Sequence, residues 1–442
     1  MHQSGIDERD PEPSALGELL GSGGLRSVYQ PIVDLETGAL FGFEALARGP
    51  EGSMLEHPDK LFAAARTEGR LAELDEACQR TAIAGAHAHA VKAPLTLFVN
   101  AEPDETGFGP LPELGRGMRG VVELTERTLT NRLAELLPAV QRARADGWGI
   151  ALDDVGADTR SLALMPVLRP DVIKLDLRLV QEQPTPEIAA IAGAVGAQAE
   201  RTGATVLAEG IETPEQAHYA RALGATLGQG FHFGRPSPVP RRANVTGIPL
   251  PLLTTALPHP WQAPFDLASA RRPVRRGTMP LLASISRELE RQAARGHRTS
   301  LLISSFPGSH GSLESVDIDT FYEELAANLA FVATLSVGIP PNLQPGLRGV
   351  SIRDDDPFRG TWNVVVLGAH FAAMLAARED GQAGSKEEQA FDFVVTYDRE
   401  IIVECAQALM LRIALSEGPG QSPGREQAVR DQDWTGDSAQ TG

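Results

Sequence analysis

From Val28 onward, short apolar runs that end in a polar or charged residue recur along the chain, alternating with segments whose apolar positions repeat at helical spacing. The strand-like runs fall at 28–33, 40–46, 95–100, 119–124, 148–153, 171–176, 204–209 and 225–230. Segments of helical period stand between them at 59–91, 131–146, 185–202 and 213–223. The first two runs flank Asp34-Leu35-Glu36-Thr37-Gly38, a turn whose glycine suits a positive φ, so they predict a hairpin. Beyond the hairpin, strands separated by helices predict a parallel sheet with helices outside it, and eight such strands favour a closed barrel over an open sheet. The barrel is expected over residues 18–240, after a mobile stretch at 1–17 that lacks sustained periodicity.

The pattern breaks at Gly234-Arg235-Pro236, and eight prolines lie between Pro236 and Pro264. They predict a Pro-rich linker at 241–264, an extended and semi-rigid spacer. A second, smaller mixed α/β domain is expected over 265–415. Its predicted elements are helices at 281–295, 321–328, 371–378 and 400–416 and strands at 299–304, 331–337, 362–367 and 391–396. Residues 416–442, rich in Gly, Gln, Ser and charge, are expected to be a disordered tail.

In a barrel of this kind the chemically active residues stand at the C-terminal ends of the strands. Glu44, Asn100, Glu123, Asp153, Asp154, Lys174 and Glu209 occupy such ends. Solvated rim positions would explain one or two of them. Several together after apolar runs call for pairing or metal, because a buried ionised group is otherwise expensive. Glu44, Asn100, Glu123 and Asp153 offer three carboxylates and one amide, the oxygen set that Mg2+ or Mn2+ takes. The adjacent Asp153-Asp154 pair suits a second ion, and paired metals serve phosphodiester cleavage. Lys174 and Glu209 then form the pair that acts on water, against the blander reading of a buried structural salt bridge.

Charge narrows the ligand: 58 acidic against 40 basic residues leave a formal charge of −18, which disfavours a nucleic-acid polymer or an anionic membrane as partner. An anionic ligand must be met locally. The two cysteines, Cys78 and Cys405, have no disulfide or zinc spacing, and no apolar run approaches the roughly 18 residues of a membrane span. A cytoplasmic protein is expected.

The motifs carry a resemblance beyond their individual chemistry. Gln30-Pro31-Ile32, Glu44-Ala45-Leu46 with Arg48, Val99-Asn100, Glu123-Leu124-Thr125-Glu126 and Asp153-Asp154-Val155-Gly156 come first. Lys174-Leu175-Asp176, Glu209-Gly210-Ile211-Glu212-Thr213, and Gln229-Gly230 with Gly234-Arg235-Pro236 follow. In that order they resemble the EAL-domain cyclic-di-GMP phosphodiesterases. The resemblance implies a TIM-like (β/α)8 barrel with an antiparallel first strand and metal-dependent hydrolysis of cyclic di-GMP to a linear dinucleotide. It further implies that Glu44, Asn100, Glu123 and Asp153 hold a first metal and that Asp154 joins a second. Lys174 and Glu209 serve the hydrolytic water, Gln30, Arg48 and Gln229 contact the substrate, and Glu126 anchors the loop that follows the Asp pair. That loop departs from the family: Asp-Phe-Gly followed by Gly, Tyr and Ser is replaced by Asp154-Val155-Gly156-Ala157-Asp158-Thr159-Arg160-Ser161.

In the second domain, Phe306-Pro307, Phe331-Val332, Val337-Gly338, Pro345-Gly346-Leu347-Arg348-Gly349 and Trp362 to Leu367 resemble a DICT-type sensory module, with a ligand or protein partner that the sequence does not name. Asp354-Asp355-Asp356-Pro357 reads as a solvated acidic turn. The leading expectation is a phosphodiesterase under the control of residues 265–415, within a homodimer formed through the barrel. Its rival is a catalytically weak receptor that binds cyclic di-GMP and signals through the same domain.

Overall fold

A computed structural model describes residues 14–103, 108–240, 244–253, 257–309, 318–340, 342–353, 355–380 and 390–417. The expectations for residues 1–13, for Asp354 and for the tail beyond 417 lie outside these residues. Helix α1 (Ala15–Ser22) leads into β1 (Arg26–Asp34) and β2 (Leu40–Arg48), followed by α2 (Pro58–Thr67), α3 (Leu71–Ala88), β3 (Thr96–Asn100) and β4 (Arg119–Thr125). Then α4 (Glu126–Ala145) precedes β5 (Gly149–Val155) and α5 (Ser161–Leu168) precedes β6 (Val172–Leu175). Helices α6 (Leu177–Gln181) and α7 (Pro186–Thr202) precede β7 (Thr205–Ala208), and α8 (Pro214–Ala222) precedes β8 (Leu227–Gln229).

The eight strands close into a barrel in chain order. Strand β1 runs antiparallel to both of its neighbours, β2 and β8, while the strand pairs from β2 to β8 are parallel. This is the TIM-like architecture with a reversed first strand. Gly38 closes the opening hairpin at φ 69°. The single helical stretch expected at 59–91 is broken at Gly69, whose φ of 67° ends α2. Helix α1 takes in residues 15–17 of the stretch expected to be mobile, because Leu16 and Leu19 bury against Leu61, Ala65 and Leu74.

The barrel interior is built in layers that follow from the period of two along a strand. Ile32, Phe98, Val121, Ala151, Val172, Leu207 and Leu227 fill an apolar layer. One inward position further along the same strands stand Gln30, Asn100, Glu123, Asp153, Lys174, Glu209 and Gln229. A greasy floor and a polar ceiling thus come from one alternation. The connector completes the floor: Leu250, 2% exposed, joins the apolar layer. Arg119 donates to Leu250 O at 3.0 Å, and Leu40 and residues 244–246 exchange backbone bonds of 2.7 and 2.9 Å. The described residues of the expected extended spacer are therefore packed on the barrel, since its open end gives Leu250 somewhere to bury.

The C-terminal unit contains α9 (Pro264–Ser269), β9 (Arg275–Thr278), α10 (Met279–Arg295), β10 (Ser300–Ser309), α11 (Ile318–Asn328) and β11 (Phe331–Val337). It continues with β12 (Asn342–Gln344), β13 (Leu347–Ile352), β14 (Thr361–Gly368), β15 (Ala372–Glu379), β16 (Ala390–Thr396) and α12 (Arg399–Glu417). Its mixed sheet has the order β12-β13-β11-β10-β14-β15-β16-β9. The helix expected at 371–378 is strand β15, held between β14 and β16. Burial on both faces overrides the helical propensity of its Ala, Met and Leu residues. Helices α10 and α11 cover one face through Leu282, Leu289, Tyr322 and Leu325. On the other face, Ile303, Val365 and Met374 share one apolar cluster with Leu409 and Ile413 of α12, Leu133 of α4 and Leu164 of α5.

Helix α12 thus lies between the sheet and the barrel. Gln407 donates to Val167 O at 2.8 Å, and Arg348 donates to Asn131 O at 3.0 Å. The acidic turn is not wholly solvated: Asp356 is 4% exposed and pairs with buried Arg412 at 2.6 Å.

Candidate active site

At the C-terminal end of the barrel, the Lys174 ammonium is enclosed by carboxylates. Its Nζ lies 2.8 Å from Glu123 Oε1, 2.9 Å from Asp153 Oδ1 and 2.7 Å from Glu209 Oε1. Lys174 and Glu123 are buried at the head of β6 and β4. On the adjoining strands, Gln30 and Glu44 are direct partners in the β1–β2 register. Asn100 Nδ2 donates to Glu44 Oε1 at 3.2 Å, and Gln229 Nε2 donates to Glu44 Oε2 at 2.5 Å and to Gln30 Oε1 at 3.1 Å.

Burial, reinforced by Asp153, pushes the Glu209 carboxyl up to about 8, against the pull of Lys174. Burial also raises Glu123 well above the usual carboxylate range. At Glu44 burial works in the same sense but is outweighed by Lys174 and by the donors Gln229 and Asn100, so its carboxyl falls below the ordinary value. Burial would lower the Lys174 ammonium, yet Asp153, Glu123 and Glu209 hold it well above the usual lysine range.

Gln30, Glu44, Asp153, Glu209 and Gln229 face a cleft of about 470 Å³. Leu177, Gln181, Glu212 and Phe231 form its rim, and the Arg235 guanidinium stacks 4.0 Å from the Phe231 ring centre. Sequence reasoning missed Leu177, Gln181 and Phe231; Leu177 and Phe231 are marked only by their place directly after the Asp176 and Gln229-Gly230 motifs, and Gln181 by no signal. Gly230 is required: a Cβ there would lie 2.0 Å from Ile211 O. Asn100, Glu123, Lys174, Arg48 and Asp154 are not in the cleft lining. Arg48 Nη1 instead donates to Ala47 O at 2.7 Å.

Asp154 is exposed and takes a left-handed φ of 58° near the end of β5, at the register shift between Leu152 and Val155. The loop it opens folds over the buried Glu126 carboxylate, which accepts from Gly156 N at 3.1 Å, from Asp158 N at 2.5 Å and from Ser161 Oγ. Burial raises the Glu126 carboxyl to about 7 in spite of these donors. Asp158 pairs with Arg160 inside the loop. Burial opposes ionisation of Asp158, but Arg160 and, from the C-terminal unit, Arg298 hold it below its ordinary value. A second cavity of about 360 Å³ lies beside Glu126, Asp154 and Arg160.

Asp153, Asp154 and Glu209 present carboxylate oxygens within 4.8 Å of one another. Glu123 Oε2 is buried without a hydrogen-bond donor. An all-oxygen set with an orphaned carboxylate oxygen fits a hard divalent cation. Among the described residues no helix is long and apolar enough to cross a membrane.

Comparison with known proteins gives the family. A family model described as EAL domain matches residues 14–236. Cyclic di-GMP phosphodiesterase RocR of Pseudomonas aeruginosa is 31% identical over 50% of this chain and 59% of its own length. Cyclic di-GMP phosphodiesterase NbdA of the same organism is 30% identical over 48% of this chain and 29% of its own. Uncharacterized protein Rv1357c of Mycobacterium tuberculosis is 31% identical and 75% covered. The chain therefore spans less than two thirds of the length of RocR and NbdA. Among solved structures, Klebsiella pneumoniae BlrP1 in a calcium and cyclic-di-GMP complex is 29% identical over 52% of this chain and 58% of its own, with a TM-score of 0.44.

Proposed function

The chain belongs to the EAL domain family, and from that premise we propose that it is a metal-dependent phosphodiesterase that hydrolyses cyclic di-GMP to linear pGpG. The observation that carries the reading is the carboxylate set gathered on Lys174, of which Asp153 and Glu209 face a cleft large enough for a small ligand. Two Mg2+ or Mn2+ ions, when bound, supply the positive charge that polarises the scissile phosphate.

Glu44, Asn100, Glu123 and Asp153 are the residues to hold the first ion, with Asp154 for the second. Glu209, 2.7 Å from the Lys174 ammonium and facing the cleft, is the carboxylate to accept the proton of the attacking water once it is ionised. Lys174 keeps Glu209, Asp153 and Glu123 at fixed spacing and stays cationic while charge develops. Gln30 and Gln229 meet the substrate at the cleft base, and Arg48 joins them by leaving its contact with Ala47 O.

The test is release of linear dinucleotide from cyclic di-GMP by the full chain with Mg2+ or Mn2+. Binding without release would instead favour the receptor reading, for which the altered loop at Val155–Ser161 is the supporting observation.

The C-terminal unit, read as a DICT-like regulatory module, acts on turnover through that loop. Support comes from α12, which packs on α5, where the loop ends, and on α4, whose Glu126 accepts from the loop, and from the Arg298 charge that acts on Asp158. A homodimer through the barrel would use faces other than the one that α12 covers. In the full chain, Arg298→Glu and Gln407→Ala are expected to change kcat several-fold with little change in KM. Unchanged kcat in both variants would remove the regulatory part of the reading.

A further inference from the structure

Helix α3 carries two polar side chains on a face that is otherwise core. Asp75 and Gln79, one helical turn apart, are 7% and 4% exposed beside Leu74, Ala82, Ile83 and Ala86. Burying a carboxyl there is costly and pushes it up to about 7, so its partners matter. Asp75 Oδ2 accepts from Gln79 Nε2 at 2.9 Å, and Asp75 Oδ1 accepts from the backbone N–H of Glu102 at 3.2 Å. Gln79 Nε2 also reaches Asn100 O at 3.4 Å.

The two side chains therefore grip the backbone on both sides of Ala101, where β3 ends. From the opposite side, Ala101 N donates to Glu123 O at 3.1 Å. The segment so clamped carries Asn100, whose side-chain amide meets Glu44.

We propose that Asp75 and Gln79 are positioning residues for Asn100: they lock the end of β3 so that the Asn100 amide keeps its place beside Glu44 and Glu123. The proposal rests on the reading of Asn100 as a metal ligand. None of the motifs that mark the site includes Asp75 or Gln79. Loss of the clamp lets the segment drift while the barrel core under it stays packed.

The experiment uses the full chain and Mn2+ as the probe, with binding followed by titration calorimetry, hydrolysis by linear dinucleotide release, and folding by circular dichroism. Asp75→Ala and Gln79→Ala are each expected to weaken Mn2+ binding by about 10- to 100-fold, the usual range for an outer partner of a ligand, with kcat recovering at high Mn2+. Asp75→Asn keeps an acceptor for Glu102 N and should restore much of the affinity. Arg66→Ala, which removes only the exposed 2.9 Å pair with Glu102, should leave binding unchanged. In an Asn100→Ala background, Asp75→Ala should add nothing.

Wild-type Mn2+ affinity in folded Asp75→Ala, or a full additional loss in the Asn100→Ala background, would overturn the proposal. If Asp75→Ala does not fold, Asp75→Asn and Gln79→Ala carry the test, and wild-type affinity in Gln79→Ala overturns it equally. An Asn100→Ala chain that binds Mn2+ normally would instead defeat the ligand reading itself, and the proposal with it.

Discussion

Replacing Lys174 by Met tests whether the polar ceiling of the barrel is held together by one charge. The Lys174 Nζ has three carboxylate neighbours between 2.7 and 2.9 Å, and neither it nor Glu123 reaches solvent. Each contact is worth roughly 6 kcal/mol before desolvation at an effective dielectric constant of about 20. Desolvation cancels several kcal/mol per ion, so the pairs contribute little net. Removing one partner is different, because the burial cost of the others remains, and such deletions cost about 3–5 kcal/mol. Three stranded carboxylates place Lys174→Met at the upper end of that range, reduced where the carboxyls take up protons.

The expected result is a loss of about 3–5 kcal/mol in the metal-free chain at pH 9 and a smaller loss at pH 6, measured by urea unfolding. Mn2+ should recover part of it by supplying the missing positive charge. The double variant Lys174→Met with Glu209→Gln should lose less than the sum of the single losses, by about 0.5–3 kcal/mol. A metal-free Lys174→Met chain within about 1 kcal/mol of wild type, or strict additivity, would show that the carboxylates are not organised by this ammonium.

Three further outcomes follow from the same site. Glu44→Ala and Asp153→Asn should each cut hydrolysis by at least about 100-fold while the barrel stays folded, and near-wild-type turnover in either would remove that residue from the metal set. Glu209→Gln should lower kcat by about 100- to 10,000-fold with KM within a few-fold of wild type, whereas equal effects on kcat and affinity would make Glu209 structural. In the metal-free fold the Glu209 carboxyl is raised from 4.5 to about 8, so the folded chain retains a proton that the unfolded chain releases. Stability from this group is therefore lost as pH rises between those two values and levels off above about 8, and Mn2+ binding should release protons. Urea midpoints that rise through this window, unaltered by Glu209→Gln, would contradict it.

The barrel and its polar ceiling were legible because strand alternation and motif order agree: each apolar run buries a floor residue and then offers a polar one. Where burial is complete the signal vanishes. Helix α5, Ser-Leu-Ala-Leu-Met-Pro-Val-Leu, is buried at every position and has no polar face to reveal its period. Strand β15 has the sequence signature of a helix for a related reason, since its Ala-rich sequence packs on both faces and alternates nothing. Asp75 and Gln79 were invisible because polar residues on a helix ordinarily mark its wet side. Among the described residues of the connector before Pro264 no helix or named strand forms, as its prolines require. They said nothing of Leu250, whose destination depends on eight strands far away in sequence.

The shared core of α4, α5 and α12 also sets a timetable for synthesis. Leu164 and Val167 leave the ribosome long before Leu409 and Ile413, the residues that cover their face of the barrel. With chains elongated at about 5–20 residues per second, that face waits on the order of 10–50 s for its cover. The floor closes sooner, once Leu250 emerges. A nascent barrel therefore carries a temporary sticky surface next to its own active-site loop, and interruption of translation between residues 253 and 399 would strand it in that state.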